Sequence, residues 1–165
     1  MNQRIVCWYS HGAASLVAAK KMIEINNGEK ELLVCCIHLE NECNTPGLDA
    51  WVESFLGVPI TYIKDEKYGA NVDTVIEKTR YMSGVYGARC TKELKKQVRL
   101  NWQRQDDIHV FGMDCNEENR IDRIIDAEPD LLVRAPLVEL GMSKKDCFEY
   151  LQKQPCLLYT SPSPR

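Results

Sequence analysis

Residues 5–20 read Ile5-Val6-Cys7-Trp8-Tyr9-Ser10-His11-Gly12-Ala13-Ala14-Ser15-Leu16-Val17-Ala18-Ala19-Lys20. The first five form an apolar run with β-branched and aromatic residues, the pattern of a buried strand. Small residues follow, with Gly12 where a tight turn is expected. From Ser15 to Ile25 the chain reads as a helix of strong helix formers. A strand that passes through small hydroxyl and glycine residues into a helix leaves backbone N–H groups unpaired at the helix start. Those groups and the helix dipole together favour a phosphate or another anion. The alternative is an ordinary strand–turn–helix corner capped by Ser10 or Ser15.

The alternation of strand and helix continues outward from this stretch. Asn26-Asn27-Gly28 marks a turn, and residues 32–39 (LLVCCIHL) form a second buried strand suited to the middle of a parallel sheet. Its end, Glu40-Asn41-Glu42-Cys43-Asn44, is a polar cluster expected to face a ligand crevice. A second helix is expected from near Pro46 to Phe55, with Asn44 or Thr45 as its cap and Gly57 closing it. Ile60-Thr61-Tyr62-Ile63 is the third strand. From Asp65 to Ala88 glycine, tyrosine and basic residues mix, and the expectation is a mobile loop over the site. A basic helix opens at Arg89 and reaches about Gln103. Residues 107–112 and 131–137 are the fourth and fifth strands, and Ser143 caps a last helix from Lys144 to about Gln152. His109 alternates with apolar neighbours and reads as a packed histidine. The order β-α-β-α-β predicts an α/β fold, a doubly wound, mostly parallel five-stranded sheet with helices on both faces.

Three segments carry a family resemblance. Ser10-His11-Gly12-Ala13-Ala14-Ser15 resembles a degenerate Ser-Gly-Gly-x-Asp-Ser loop of the PP-loop (adenine nucleotide α-hydrolase-like) superfamily. Ser10, Gly12 and Ser15 keep their places, His11 stands for the first glycine, and Ala14 stands for the aspartate. Cys90-Thr91-Lys92-Glu93-Leu94-Lys95, with Arg89 directly before it rather than one residue further back, resembles the Arg-x-Cys-Thr-x-x-Leu-Lys segment of phosphoadenylyl-sulfate (PAPS) reductase-like members. Gly112, Glu117, Arg120 and Arg123 are similar to a Gly-x-x-x-x-Glu-x-x-Arg segment that follows a strand. The resemblance spans nearly all of residues 4–153 and implies a Rossmann-like fold of the HUP/PP-loop type.

It also implies an adenine nucleotide, PAPS or ATP, held by Ser10, His11, Gly12, Ala13, Ala14, Ser15, Arg89, Thr91, Lys95, Gly112, Glu117 and Arg120. Missing its acid at Ala14, the loop points to a PAPS reductase-like oxidoreductase with a thioredoxin-like reductant. The alternatives are an ATP-dependent adenylating or thiolating enzyme, which alone would use magnesium and needs a substitute acid near the loop, and a non-catalytic nucleotide-binding module. The Glu-Cys-Gly-x-x-His segment that carries the reductases' nucleophile does not occur in residues 1–165, so no catalytic residue is identified. Cys90, beside Arg89 near a helix start, is the best remaining low-pKa thiol. Read without the resemblance, residues 89–103 are a solvated basic helix, and Glu117 with Arg120 is a surface ion pair.

Composition narrows the remaining classes. The length of 165 residues suits one domain, and 44% apolar with 27% charged residues is ordinary for a globular chain. A net charge of −3 gives no general pull toward nucleic acid or anionic membrane, and nucleic-acid binding is undecided because the basic segment Lys92–Arg104 carries no interleaved aromatic platform beyond Trp102. No run is long and apolar enough for a membrane span, and the expected location is the cytoplasm. The eight cysteines are scattered without a CxxC pair, which suits reduced thiols; no metal site is expected. Residues 156–165, CLLYTSPSPR, break the pattern and resemble the translation of a sequencing adapter. The expected domain is therefore 1–155, with 156–165 as a non-native tail.

Overall fold

The structure is a computed structural model that describes residues 2–41, 45–85, 87–88 and 91–154. The expected tail lies outside these residues, as do Glu42, Cys43, Asn44, Arg89 and Cys90. In chain order the elements are β1 (Ile5–Trp8), α1 (Ala13–Asn26), β2 (Leu32–Ile37), α2 (Leu48–Leu56), β3 (Ile60–Ile63) and α3 (Val72–Thr79). Next come β4 (Ser83–Gly84), β5 (Gly87–Ala88), a π-helical turn (Lys92–Lys96) and α4 (Gln97–Trp102). The chain continues with β6 (Ile108–Val110), α5 (Glu118–Ala127), β7 (Leu132–Arg134), α6 (Pro136–Glu139) and α7 (Lys144–Gln152).

Five strands form one parallel sheet in the order β3-β2-β1-β6-β7. This is the doubly wound α/β sheet expected from the alternation of elements. Strand alternation sorts side chains between its faces. Ile5, Cys7 and Tyr9 with Val110 pack under Leu16, Val17 and Met22 of α1, Val52 and Leu56 of α2, and Cys147 and Leu151 of α7. Trp8, His109 and Phe111 lie on the opposite face with Trp102 of α4. Among the described residues no disulfide forms, and burial pushes the Cys7, Cys35 and Cys147 thiols up, those of Cys35 and Cys147 to about 12 and about 11. Such thiols behave as small hydrophobes. No described helix is long and apolar enough to cross a membrane.

Four expectations need correction. Residues 65–88 are not simply a loop: Asn71 Oδ1 accepts from the N–H groups of Asp73 (2.9 Å) and Thr74 (3.3 Å) and starts α3. Val75 of that helix packs with Leu39, Tyr68 and Leu94, tying the segment to β2's end and the π-helical turn. Of the polar cluster after β2, Asn41 turns to this helix, its Oδ1 accepting from Val72 N at 2.8 Å, and residues 42–44 lie outside the described residues. Helix α2 begins two residues after Pro46, behind Gly47, whose φ of 78° suits a residue without Cβ. Finally, β7 stops at Arg134, since Pro136 has no N–H for a ladder and opens α6 instead. Ser143 caps α7 as expected, in a reciprocal box with Asp146 (3.2 and 2.8 Å).

Beneath the sheet, at the start of its two central strands, Arg4 donates to both oxygens of Asp107 at 2.6 and 2.9 Å. Asp107 also accepts from Arg104 N at 2.7 Å, and its side chain is fully buried. Burial alone would raise this carboxyl, but Arg4 and the backbone bond hold it below its usual range. The Arg4 guanidinium lies 4.4 Å over the Trp102 ring. Removing one partner of a buried pair strands the other charge. Asp107→Ala is therefore expected to cost about 3–5 kcal/mol in denaturant unfolding.

His109 is fully buried, as its alternation with apolar residues implies. Trp8 Nε1–H can only donate, and it does so to His109 Nδ1 at 3.0 Å, so the imidazole proton sits on Nε2. That Nε2 has no hydrogen-bond partner among the described residues. Burial, helped by the Arg99 charge, pushes the imidazole down to about 4 and keeps it neutral. Between pH 6.5 and pH 4 the unfolded chain therefore binds a proton at this residue that the fold rejects. Stability should fall by on the order of 2–3 kcal/mol as pH drops through that window, and His109→Phe should flatten that part of the profile in pH-dependent melts.

Candidate functional site

After β1 the chain packs α1 on one face of the sheet, and after β6 it packs α5 with Phe111 and Val133 on the other. The exits of these two neighbours part at the C-terminal edge, where open α/β sheets bind ligands. Here the backbones nearly touch: a Cβ on Gly112 would lie 2.3 Å from Ser15 Cα and 2.6 Å from Ser15 N. Only glycine fits, so the exit of β6 rests directly on the first turn of α1.

The loop between β1 and α1 is closed by one hydroxyl. Ser15 Oγ accepts from Ser10 N (3.1 Å), lies 3.2 Å from Ser10 Oγ, and donates to Gly12 O (2.9 Å). Neither serine caps the helix, because Gly12 is the N-cap and no side chain bonds there. Gly12 is extended (φ −89°), and the left-handed residue is His11 at φ 61°, a conformation that costs a non-glycine residue on the order of 1–3 kcal/mol. The tight turn expected at Gly12 thus falls one residue earlier. His11 has supports there: the Tyr9 ring at 5.0 Å, Cys36 Sγ at 3.8 Å from Nδ1, and Asp49 Oδ1 at 3.6 Å from Nε2. Tyr62, exposed on β3 and hydrogen-bonded to Asp49, has its phenol pushed up by partial desolvation first and by Asp49 second.

A cavity of about 620 Å³ opens beside the loop on the α4–α5 face. Of the residues singled out from sequence, Ser10, Ser15, Thr91, Lys95, Gly112 and Arg120 line it. His11, Gly12, Ala13 and Ala14 belong to the loop without lining the cavity, Glu117 stands at the start of α5, and Arg89 lies outside the described residues. Thr91 is already helical (φ −63°, ψ −40°) and makes no cap bond, so the capping role expected of it is absent. Glu117 pairs with Arg120 and accepts weakly from Asp114 N (3.3 Å), which is the ion-pair alternative raised by their spacing.

Trp8, Phe111, Ile124, Lys96, Arg99 and Glu128 complete much of the lining, and sequence alone singled out none of them for the site. A π-helical turn, often found at functional sites, carries Lys95 and Lys96 into it with Leu94 buried beneath. Five cationic side chains (Lys95, Lys96, Arg99, Arg120 and Arg123) meet one carboxylate among the described lining residues, although the whole chain is at −3. Arg99 donates to both oxygens of Glu128 at 2.7 and 3.0 Å, with Lys96 Nζ at 3.3 Å. Burial would raise Glu128, yet these partners hold it below the usual carboxylate range. Arg123 has no ion-pair partner among the described residues. The arrangement suits an anion larger than one phosphate: loop N–H groups at one end and fixed cations along the wall.

No protein-family model matches the chain. No curated protein matches it in sequence. Among solved structures it is similar in fold to the U34-tRNA thiolase NcsA from Methanococcus maripaludis with its [4Fe-4S] cluster, at a TM-score of 0.61 and 19% identity. The match covers 94% of this chain and 61% of the thiolase chain, so the present sequence spans under two thirds of that structure's length. At this identity the likeness is one of fold: a Rossmann-like α/β sheet shared with an enzyme.

Proposed function

We propose that this chain is the adenine-nucleotide-binding domain of an ATP-using enzyme of PP-loop type, which activates a substrate oxygen by adenylation for displacement by a sulfur nucleophile. The observation that carries this reading is the Ser10–Ser15 loop seated against Gly112 at the sheet's switch point, with a cation-lined cavity beside it. In this reading the loop and the first turn of α1 hold the phosphates. Lys95, Arg120 and Arg123 offset the charge that develops as the substrate oxygen bonds to the α-phosphorus and pyrophosphate leaves. The sulfur nucleophile then expels AMP.

Two observations favour ATP over PAPS reduction. The fold neighbour is a thiolase, and a carboxylate stands beside the loop although Ala14 supplies none: Asp49, 3.6 Å from His11. Its oxygens fit a hard cation, and magnesium bound there would offset phosphate charge. The proposal does not include the neighbour's iron–sulfur cluster; among the described residues no three His, Cys, Asp or Glu side chains come together as a metal site.

Calorimetric titration with ATP and with PAPS, each with and without Mg²⁺, tests the proposal. The expected result is ATP binding that Mg²⁺ strengthens, with Asp49→Asn removing the Mg²⁺ increment and leaving Mg²⁺-free ATP affinity in place. Tighter binding of PAPS than ATP, without a Mg²⁺ effect, would return the chain to the reductase reading.

A further inference from the structure

We propose that Trp8 is a stacking platform for the heteroaromatic ring of a phosphate-bearing substrate, and that His109 is the residue that positions it. The inference rests on the nucleotide reading above and names a contact which that reading does not supply.

Trp8 ends β1, two residues before the phosphate loop, and its half-buried ring lines the cavity. An indole has a single polar atom, and here it is already used: Nε1–H donates to His109 Nδ1, with the ring planes 3° apart. Trp102 meets Trp8 in an edge arrangement at 5.9 Å and is itself covered by the Arg4 guanidinium. Trp8 is thus fixed through its edge and its neighbour, with no donor left for a ligand. What it offers the cavity is a preset apolar π-surface, continued by Phe111 and Ile124.

The cations stand around that surface. Lys95, Arg120 and Arg123 share the cavity with Trp8. A flat apolar floor with cationic walls is complementary to a planar ring that carries phosphate, and every nucleobase has the π-face this needs. His109 fits the positioning role. Its Nε2–H is buried without a partner, a penalty that a phenylalanine or leucine at 109 would avoid, and neither of those could accept the Trp8 bond. Two rings are compatible with the floor: the adenine of the nucleotide, or the base of an acceptor nucleotide bound with it.

The test uses affinities for ATP, for UMP in the presence of saturating ATP, and for inorganic pyrophosphate, which has no ring. Trp8→Leu is expected to weaken one nucleotide about tenfold and leave pyrophosphate unchanged. Loss on ATP identifies the ring as adenine; loss on UMP alone identifies an acceptor base. His109→Leu should reproduce the loss in part, and His109→Gln, whose amide oxygen can accept the Trp8 bond, should restore it. If Trp8→Leu does not fold, fluorotryptophan at position 8 reads the same contact, its resonance shifting with ATP or UMP and not with pyrophosphate. Unchanged ATP and UMP affinities in a folded Trp8→Leu, or a silent resonance at saturation, overturn the platform. Failure of the wild type to bind ATP by calorimetry overturns the nucleotide reading instead, and a shift of the position-8 fluorotryptophan resonance by UMP alone would then still uphold the platform.

Discussion

The contact on which the site depends is the approach of Gly112 to Ser15. Two adjacent parallel strands leave the sheet in opposite directions, and the first turn of α1 sits on the backbone of the outgoing β6 chain. A Cβ at Gly112 would overlap the Ser15 backbone at 2.3 Å, so the loop, the helix start and the cavity mouth hold one relative position only while residue 112 is glycine. The same two strands are tied at their other ends by the buried Arg4–Asp107 pair. β1 and β6 are therefore fixed at both edges of the sheet, and everything that lines the cavity between α4 and α5 is measured from them.

Around this frame the electrostatics divide. On the side of β2 and β3 the loop's own His11 meets the Asp49 carboxylate, which in turn is bonded by the Tyr62 phenol. On the side of β6 and β7 it meets lysines and arginines above an aromatic floor. An overall charge of −3 would repel anions, so the local concentration of cations determines what binds there. Glu128 moderates that field by holding Arg99 and Lys96, and Glu117 beside the cavity pairs with Arg120.

Much of the fold was legible in the sequence because it rests on local pattern. Residues 60–63 and the Ser143-capped helix match their expected bounds, as apolar runs and capping boxes are short-range signals. Helix α3 was hidden because Val72, Val75 and Thr79 sit among glycine, tyrosine and lysine, and its cap uses the less conspicuous Asn71. The turn between β1 and α1 was readable from Ser10, Gly12 and Ser15, yet which residue takes the left-handed backbone was not: His11 does so through contacts with Tyr9, Cys36 and Asp49 that are distant or invisible in sequence. Trp8, Arg99 and Glu128 were missed for the same reason. A tryptophan at a strand end and an Arg–Glu pair 29 residues apart gain meaning only when the sheet brings α4 and α5 over β1 and β6.

The central claim is that the loop at residues 10–15, pressed against Gly112, receives phosphate. The most direct measurement is an amide ¹H–¹⁵N titration of the chain with ATP and with pyrophosphate. The account predicts that both ligands shift Gly12, Ala13, Ala14, Ser15 and Gly112 most strongly, since their N–H groups border the loop and its contact. Shifts confined to the basic segment 92–103, with residues 10–15 and Gly112 unmoved at saturation, would contradict it.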